Sequence, residues 1–378
     1  MTSFGGLFQF LKIFKYIGLY PLTRNTDQRI LKCRKVDILI VVTSVVAFEA
    51  LGIISMLYIF KHASEFLWIE YDVTGNIFEL IEIGMAGSAY MVILLWILYR
   101  SSDNFELIDE ICNLERQMVS MSNSRLKDYT AKLYYFYIFF NGMFTTTVVL
   151  SYHPGENFQY ASIYAIAVYL LKGVIVSAIL SIYSCLASII YIYVQIINEK
   201  IKTFNFRDLK ADAVEFNKLL VLHSQLSDIC DNLNNIYGIP ILIGSAYVFF
   251  SLVHEWFFIY WLIIYYHNEQ SVTIWETTLN ILWVLPDMTF SLICFLCFET
   301  NKKVNETIQI ISRIYHEQKA YRQIIDNFLT KSLREKCSFT AYDFYVIDYS
   351  TLFKTICAML TYVLMLIQFK ELEDAKHK

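Results

Sequence analysis

Seven apolar stretches, each long enough to cross a bilayer, constrain this chain more than any other feature. A helix needs roughly 20 predominantly apolar residues to span about 30 Å of hydrocarbon. The stretches lie at 36–60, 73–99, 133–152, 158–197, 236–266, 272–298 and 344–369. The fourth and fifth are longer than a span requires, so we expect them to continue as helix beyond the membrane. The predicted fold class is all-α: a polytopic membrane protein with seven transmembrane helices.

Composition and motifs exclude several classes of soluble protein. Apolar residue types make up 56% of the chain and charged types 17%, against averages of roughly 45–50% and about 25% in globular proteins. The net charge of −4 offers no basic surplus for nucleic acid. The sequence contains no GxGxxG, P-loop, GxSxG or HExxH motif. We therefore predict that the chain is not an enzyme and carries no cofactor.

Cysteine spacing gives no strong indication of a metal site. Cys294 and Cys297 form a single Cys-x-x-Cys pair inside an apolar run, without a second pair or a nearby histidine. Zinc sites need four ligands in characteristic paired spacings. We expect these cysteines to be small buried residues of a helix, and we predict no metal site.

The distribution of basic residues sets the predicted orientation. Lysine and arginine concentrate on the cytoplasmic side of membrane proteins. The first 35 residues and the connections after spans two, four and six hold 25 of them, whereas the opposite side holds four. This bias predicts a cytoplasmic N-terminus and an extracellular C-terminus.

The cytoplasmic connections are long and patterned, whereas the external ones are short. Apolar residues recur at helical spacing among charges in 206–235 and again in 301–336. The predicted domains are an N-terminal cytoplasmic or interfacial segment at 1–35, six helices at 36–298 with a cytoplasmic helix near 206–235, cytoplasmic anchor helices at 299–343, a pore helix at 344–370 and an extracellular tail at 371–378. Within 1–22, apolar residues share one helical face beside Lys12 and Lys15. This pattern fits either an interfacial helix or a packed amphipathic one.

Four charged residues fall near the middle of predicted spans: Glu49, Glu82, Lys172 and Asp287. Ionisable groups in the membrane are costly and commonly functional. They indicate either a polar cavity, in which Lys172 pairs with a carboxylate, or a structural ion pair that fixes helix register. Span four also carries Ser177, Ser181, Ser184 and Ser188 on one face, and small residues of this kind favour close helix packing.

Aromatic and polar residues accumulate in the outer halves of the predicted spans. Tryptophan and tyrosine also prefer the membrane interface, so a single residue of this set is more typical of an interfacial belt or of the core. Together they make an outward-facing pocket plausible, suited to sugars or planar alkaloids. The candidate ligand-binding residues are Glu82, Tyr152, Tyr160, Tyr164, His254, Trp261, Trp283 and Asp287.

The last span has a polar stripe. Lys354, Thr361 and Gln368 recur every seven residues and so share one helical face, with Tyr362 and Phe369 on the adjacent strip. Such a face meets water or protein, because lipid cannot satisfy polar groups. The stripe fits a pore lining repeated around a symmetry axis, or one buried polar face in a monomeric bundle.

A resemblance to a known family rests on this same helix. Residues 361–369, Thr-Tyr-Val-Leu-Met-Leu-Ile-Gln-Phe, fit the pattern Thr-Tyr, five apolar residues, Gln-Phe, which resembles the signature of insect gustatory receptors. The preceding stretch, 339–350, is also similar to that family's approach to its last helix. The inverted seven-span topology agrees over the whole length.

The resemblance implies a tetrameric, ligand-gated, nonselective cation channel in the plasma membrane of a sensory dendrite. It implies that the last helix lines a central pore with Thr361 and Tyr362 on it, and that Gln368 and Phe369 form the gate. The implied partners are a small-molecule tastant, permeating cations, the lipid bilayer, and identical or related subunits that meet through the cytoplasmic helices. A bitter plant compound is the expected ligand, with a sugar as the alternative.

Two other functions remain open from the residues alone. A G-protein-coupled receptor would need the opposite orientation and usually an external disulfide, whereas no cysteine falls in a predicted external loop. A secondary transporter would use Glu49, Glu82, Lys172 and Asp287, but such folds often contain repeats or broken helices. Only two of the four prolines, Pro240 and Pro286, lie within spans.

Overall fold

The computed structural model describes residues 23–24, 31–32, 35–61, 73–119, 139, 142, 146, 160–204, 211–266, 288–317, 321–334 and 337–377. In these ranges the chain is almost entirely helical. The helices are α1 (Lys35–Lys61), α2 (Val73–Tyr99), α3 (Ser101–Val119), α4 (Tyr160–Lys202), α5 (Ala211–Tyr266), α6 (Met288–Glu317), α7 (Arg322–Arg334) and α8 (Tyr349–His377). Two short antiparallel hairpins join β1 (Thr23–Arg24) to β2 (Leu31–Lys32) and β3 (Thr340–Ala341) to β4 (Tyr345–Val346).

Five helices in the described part of the chain are long and apolar enough to cross a membrane. Their apolar segments are Lys35–Tyr58, Leu80–Tyr99, Ile175–Lys202, Asp212–Tyr260 and Tyr349–Glu373. The N-terminal helix at 1–22, most of the span at 272–298 and all of the predicted span at 133–152 except residues 139, 142 and 146 lie outside the described residues.

The expected extension of spans four and five is confirmed. Helix α4 has 43 residues and α5 has 56. At 1.5 Å per residue these helices are about 64 and about 84 Å long, well beyond the ~30 Å of hydrocarbon. The same two helices therefore build both the membrane bundle and the region beneath it.

Helix α4 lies at the centre of the bundle, because α1, α2, α5 and α6 all pack against it. Its serine face is buried, and Ser177, Ser184 and Ser188 each donate to a carbonyl of their own helix. Ser184 donates to the Leu180 carbonyl and Ser188 to the Ser184 carbonyl, each at 2.7 Å. These three hydroxyls are satisfied within α4, and the small side chains allow close helix contact, as the packing interpretation predicts.

The cytoplasmic ends of α4 and α6 are joined by a charged cluster. The Lys202 ammonium donates to Glu306 Oε1 at 2.6 Å, and the Lys303 ammonium donates to Oε2 at 2.8 Å. These hydrogen bonds lower the pKa of Glu306 to about 2. Next to them the Asn198 amide donates to the Lys303 carbonyl at 3.0 Å. These contacts hold the cytoplasmic ends of α4 and α6 in fixed register.

Helix α3 is an element that the sequence analysis did not predict. It follows α2 after Arg100 and packs against α5, where the Tyr237 hydroxyl donates to Asn104 Oδ1 at 3.0 Å. The Trp96 indole N–H donates to the Ile236 carbonyl at 2.8 Å. These two hydrogen bonds attach α2 and α3 to the middle of α5.

The predicted start of the last helix at residue 344 is wrong, since 340–346 form the β3–β4 hairpin and α8 begins at Tyr349. The turn residues Tyr342 and Asp343 have φ values of 52° and 56°, and the left-handed region closes a tight hairpin. Asp348 then caps α8, because its Oδ1 accepts the Thr351 amide at 2.9 Å.

The hairpin sits directly on α5. Asn234 of α5 donates to the Ser338 carbonyl at 2.6 Å and accepts the Thr340 amide at 3.1 Å. A Cβ on Gly238 would lie 2.6 Å from the Tyr342 nitrogen, so only glycine admits this approach.

The C-terminal boundary of the pore helix also differs from the prediction. Helix α8 continues to His377, so the predicted tail at 371–378 is helical over nearly all its length. The added turns carry mainly charged side chains, which suits helix that has left the hydrocarbon.

Candidate functional site

Helix α8 uses only one of its faces for packing in the single chain. Met359 and Val363, one turn apart, are buried against Val253 of α5. The Tyr362 ring meets the Phe249 ring edge-on, with 5.6 Å between the ring centres. The other faces of α8 are uncovered and carry large apolar side chains such as Leu360 and Leu364.

Thr361, Gln368 and Phe369 lie on the uncovered side, and Tyr362 lies at its edge, where its ring still contacts Phe249. Tyr362 is 51% exposed and Phe369 55%, and Thr361 and Gln368 are exposed as well. The Thr361 hydroxyl donates to the Cys357 carbonyl at 2.9 Å, so its own helix satisfies that donor. The stripe is therefore available to a lumen or to another subunit.

The second candidate region is a polar cluster between α2 and α5, which we call the outer polar cluster: Glu82, Tyr247, Ser251 and His254. Glu82 is 2% exposed. Its Oε1 accepts the Tyr247 hydroxyl at 3.2 Å, and its Oε2 lies 3.3 Å from His254 Nδ1. The same Tyr247 oxygen lies 3.2 Å from Ser251 Oγ. Of the predicted ligand residues, Glu82 and His254 are thus brought together.

Aromatic rings flank the outer polar cluster. The Phe78 ring stacks on the His254 ring with centres 6.4 Å apart, and the Phe258 ring lies 6.3 Å away. The His254 side chain remains 18% exposed. A buried carboxylate, an imidazole and apolar rings in one place can bind a ligand that has both polar and aromatic parts.

The outer polar cluster adjoins the contact between α5 and α8. Val253, the residue before His254, packs on Met359 and Val363, and Phe78 joins the same apolar cluster. The outer polar cluster and the packing face of α8 therefore share Phe78 and adjacent residues of α5.

The other predicted ligand residues are not placed by the structure. Tyr152, Trp283 and Asp287 lie outside the described residues. Tyr160, Tyr164 and Trp261 lie in α4 and α5, but their side chains are not described, and neither is that of Lys172. The proposed pairing of Lys172 with a carboxylate is likewise outside what is described.

The sequence analysis missed Tyr247, Ser251 and Phe78. Tyr247, Ser251 and His254 follow the spacing i, i+4, i+7 in span five, which puts them on one helical face. This spacing would have revealed the α5 half of the cluster. No pattern within span two connects Phe78 to it.

Comparisons with known proteins agree with this architecture. A family model described as "7tm Chemosensory receptor" matches residues 7–373. Gustatory receptor 68a of Drosophila melanogaster is 34% identical over 184 residues, which are 48% of this chain and 47% of that receptor. The match thus spans about half the length of that relative.

Two further relatives from the same species match over more of their length. Gustatory and pheromone receptor 32a is 24% identical over 87% of this chain and 77% of that receptor. Isoform C of gustatory and pheromone receptor 39a is 22% identical over 98% of this chain and 97% of its own.

Solved structures share the fold. The insect olfactory receptor OR5 from Machilis hrabei in complex with eugenol has a TM-score of 0.62 and 12% identity, covering 96% of this chain and 97% of that one. The same receptor without eugenol gives a TM-score of 0.56 with 13% identity and the same coverage.

Proposed function

Since this chain belongs to the 7tm chemosensory receptor family, we propose that it is a taste receptor that works as a ligand-gated, nonselective cation channel. The observation that carries the proposal is the uncovered side of α8. Its exposed residues include Lys354, Thr361 and Gln368 at seven-residue spacing. A polar stripe on a membrane helix needs water or protein beside it, and a central pore supplies both.

A single α8 cannot enclose a conduit, so the proposal requires several copies around an axis. We infer four, identical or from related subunits, with α8 of each copy facing the centre. On the cytoplasmic side, the copies would meet through a region that we call the base, which is formed by α7 and the inner ends of α5 and α6.

Phe369 and Gln368 form the gate in this proposal. Four Phe369 rings on the axis would make an apolar constriction that blocks ions by dewetting. Rotation of α8 would move the rings aside and bring the Gln368 amide oxygens toward a partly dehydrated cation.

Lys354 needs a separate account, since four ammonium groups would repel cations. It lies 14 residues inward of Gln368, about 21 Å along the helix. Its side chain is exposed, and a long lysine stem can carry its charge toward headgroups or water. Lys354 therefore belongs to the wide inner end of the conduit in this proposal.

The outer polar cluster is the proposed ligand site and is coupled to the gate. A ligand that contacts Glu82 and His254 changes how α2 and α5 pack, and α5 holds α8 through Val253, Met359 and Val363. The ligand opens the channel only if it binds the open arrangement more tightly.

The proposed ligand class is a bitter plant compound with an aromatic body and a polar group. Phe78 and Phe258 beside the Glu82–His254 pair suit such a molecule. A sugar is the alternative, because it uses hydroxyls against the same carboxylate. One relative is named a gustatory and pheromone receptor, which adds pheromones to the ligands to be tested.

Calcium imaging of cells that express the full chain alone tests the proposal. The panel contains plant alkaloids, sugars and pheromones. We expect a calcium rise with at least one class that depends on external calcium and persists when G-protein signalling is blocked. A response that is abolished by the G-protein block would overturn the channel proposal.

A further inference from the structure

Three polar side chains lie together between α1 and α2, in a group that we call the α1–α2 polar cluster: Glu49, Ser55 and Tyr90. The Tyr90 hydroxyl occupies the space that a Cβ on Gly52 would fill. Glu49 and Ser55 lie three residues to either side of Gly52, and positions at that spacing are neighbours on a helix, with Cβ atoms about 5–6 Å apart. Glu49 is also close enough to act electrostatically on Tyr90. The three side chains therefore converge on one place near the middle of α1.

The oxygens of this cluster are not satisfied within the described residues. Tyr90 and Ser55 are each 0% exposed. Their hydroxyl oxygens and Glu49 Oε1 are buried and have no hydrogen-bond partner in that part of the chain. Buried polar groups in folded proteins nearly always have a partner, and leaving one without costs free energy. A further group that meets these oxygens would therefore stabilise the contact between α1 and α2.

The carboxyl group of Glu49 selects the charge of that further group. Two hydroxyls alone would accept a water as readily as a cation. A carboxylate inside the membrane is costly unless a positive charge pairs with it, and Glu49 has no ion pair among the described residues. An ammonium has three N–H donors and no acceptor, so it can meet three oxygens at once and balance the charge, which a water cannot do.

The cluster opens toward lipid along α1. Val46 lies three residues before Glu49 and Ile53 four residues after it, so the three share one face of the helix. Val46 is 62% exposed and Ile53 49%, and Glu49 is itself only partly buried. This face offers an apolar surface on both sides of the carboxyl group. It matches a ligand with an aliphatic body and one positively charged head.

We propose that the α1–α2 polar cluster binds the ammonium group of an amphiphilic amine that enters from the bilayer. The ammonium donates hydrogen bonds to Glu49 Oε1 and to the hydroxyl oxygens of Tyr90 and Ser55. The aliphatic body of the amine lies along Val46 and Ile53.

This site is separate from the outer polar cluster. Tyr90 lies eight residues inward of Glu82 on α2, about 12 Å along the helix. The Tyr90 hydroxyl meets α1, whereas Glu82 meets α5. A bound amine joins α1 to α2 and should stabilise the folded protein whether or not the chain forms a channel.

Thermal unfolding of the purified full-length protein in lipid nanodiscs tests the proposal at neutral pH, with dodecylamine as the probe and dodecanol as its uncharged counterpart. Wild type should show a saturating rise of Tm with dodecylamine and a much smaller one with dodecanol, because a ligand that binds the folded state stabilises it. Glu49→Gln should raise the half-saturating dodecylamine concentration at least about tenfold, as expected for the loss of a charged partner. Tyr90→Phe should raise it several-fold.

Glu371→Gln is the matched control. It removes a carboxylate from the exposed outer end of α8 and leaves the α1–α2 polar cluster intact, so its dodecylamine curve should match wild type. Equal dodecylamine curves for wild type and Glu49→Gln would overturn the proposal. Equal curves for dodecylamine and dodecanol on wild type would overturn it as well, since Glu49 would then be neutral or already paired.

Discussion

Phe369 and Gln368 are neighbours on α8, and both side chains are exposed in the single chain. Phe369→Ala should give current without ligand, because alanine cannot seal the axis that four phenyl rings close. Whole-cell recording of surface-matched cells measures this. Gln368→Ala should lower conductance or change cation preference and leave ligand binding intact.

Phe353→Ala is the matched control for the gate. Phe353 lies on the same helix and is also exposed, but it is 16 residues inward and about 160° around the helix from Phe369. It should produce no basal current. A well-expressed Phe369→Ala channel that stays silent at rest and opens normally with ligand would refute the gate assignment.

Glu82 lies at the centre of the outer polar cluster. Glu82→Gln keeps the shape of the side chain and removes its charge, so a ligand that uses the carboxylate loses a charged hydrogen bond. Such a bond is worth roughly 1.5–3 kcal/mol, or about 10- to 150-fold in affinity. The ligand dose–response curve should move to higher concentration by that factor while surface expression holds.

Tyr247→Phe is a milder variant for comparison, because it removes only the hydroxyl that donates a hydrogen bond to Glu82. It should shift the curve less than Glu82→Gln does. A fall in surface expression with unchanged sensitivity in the remaining channels would assign Glu82 a structural role only. Normal expression and an unchanged curve in both Glu82→Gln and Asp287→Asn would remove these carboxylates from the ligand site.

Among the elements, the β3–β4 hairpin connects the cytoplasmic base to α8, and Gly238 of α5 determines how closely it docks. Gly238→Ala places a Cβ 2.6 Å from the Tyr342 nitrogen. Backbone cannot yield as a flexible side chain can, so we expect a loss of about 1–3 kcal/mol of stability. Thermal unfolding of the purified protein should show a lower Tm, with less protein at the cell surface.

Gly244→Ala in the same helix is the control. Its Cβ would meet Leu180 and Val176 side-chain carbons at 3.6 and 3.7 Å, which is ordinary contact. Alanine also favours helix over glycine by up to about 1 kcal/mol, so Tm should hold or rise. Equal Tm values for the two variants would show that the hairpin docks on α5 without needing Gly238.

The elements also differ in how far the sequence predicted them. Hydropathy predicted α1, α2, α4, α5 and α8, because each contains a continuous apolar segment that is either buried in the protein or long enough to cross the membrane. The hairpin escaped prediction, since its turn uses Tyr342 and Asp343 at positive φ where glycine or asparagine is the usual signal. Helix α3 was missed because its apolar residues alternate with charged ones and form no continuous run, although Leu107, Ile111 and Met118 recur at helical spacing and are buried.

The candidate site divides in the same way. The stripe on α8 followed from periodicity within one helix. Glu82 and His254 are 172 residues apart in the sequence, and they meet only because α2 packs against α5. A hydropathy pattern does not indicate which helices pack against each other. The resemblance to insect gustatory receptors, which rested on residues 361–369, is confirmed by the family match over 7–373.

On the scale of the whole molecule, helices α1 and α8 both leave many large apolar side chains uncovered, and they do so for different reasons. Helix α1 exposes aliphatic residues such as Leu39 and Leu57, and lipid alone can cover them. Helix α8 mixes its exposed apolar residues with a polar stripe that lipid disfavours. The protein is a multi-pass membrane protein in which α1 suits the lipid side and α8 suits a subunit interface.

The base offers a further uncovered surface outside the hydrocarbon. Val214 and Val221 are 72% and 48% exposed on α5, and their seven-residue separation puts them on one face. No bilayer reaches this part of α5 in the predicted topology. The pore proposal requires another copy of this chain, and we expect this aliphatic pair to contact that copy.

The last prediction concerns this assembly. The purified chain in mild detergent should have a protein mass of four times 44.4 kDa, about 178 kDa, by light scattering corrected for detergent. Replacing Val214 and Val221 together by glutamate should shift the mass toward monomer, because eight carboxylates would then face one another in the base. Gln309→Glu adds charge at an exposed position of α6 and should leave the tetramer intact. A stable wild-type monomer that still conducts in bilayers would contradict the assembly, since one α8 cannot surround a conduit.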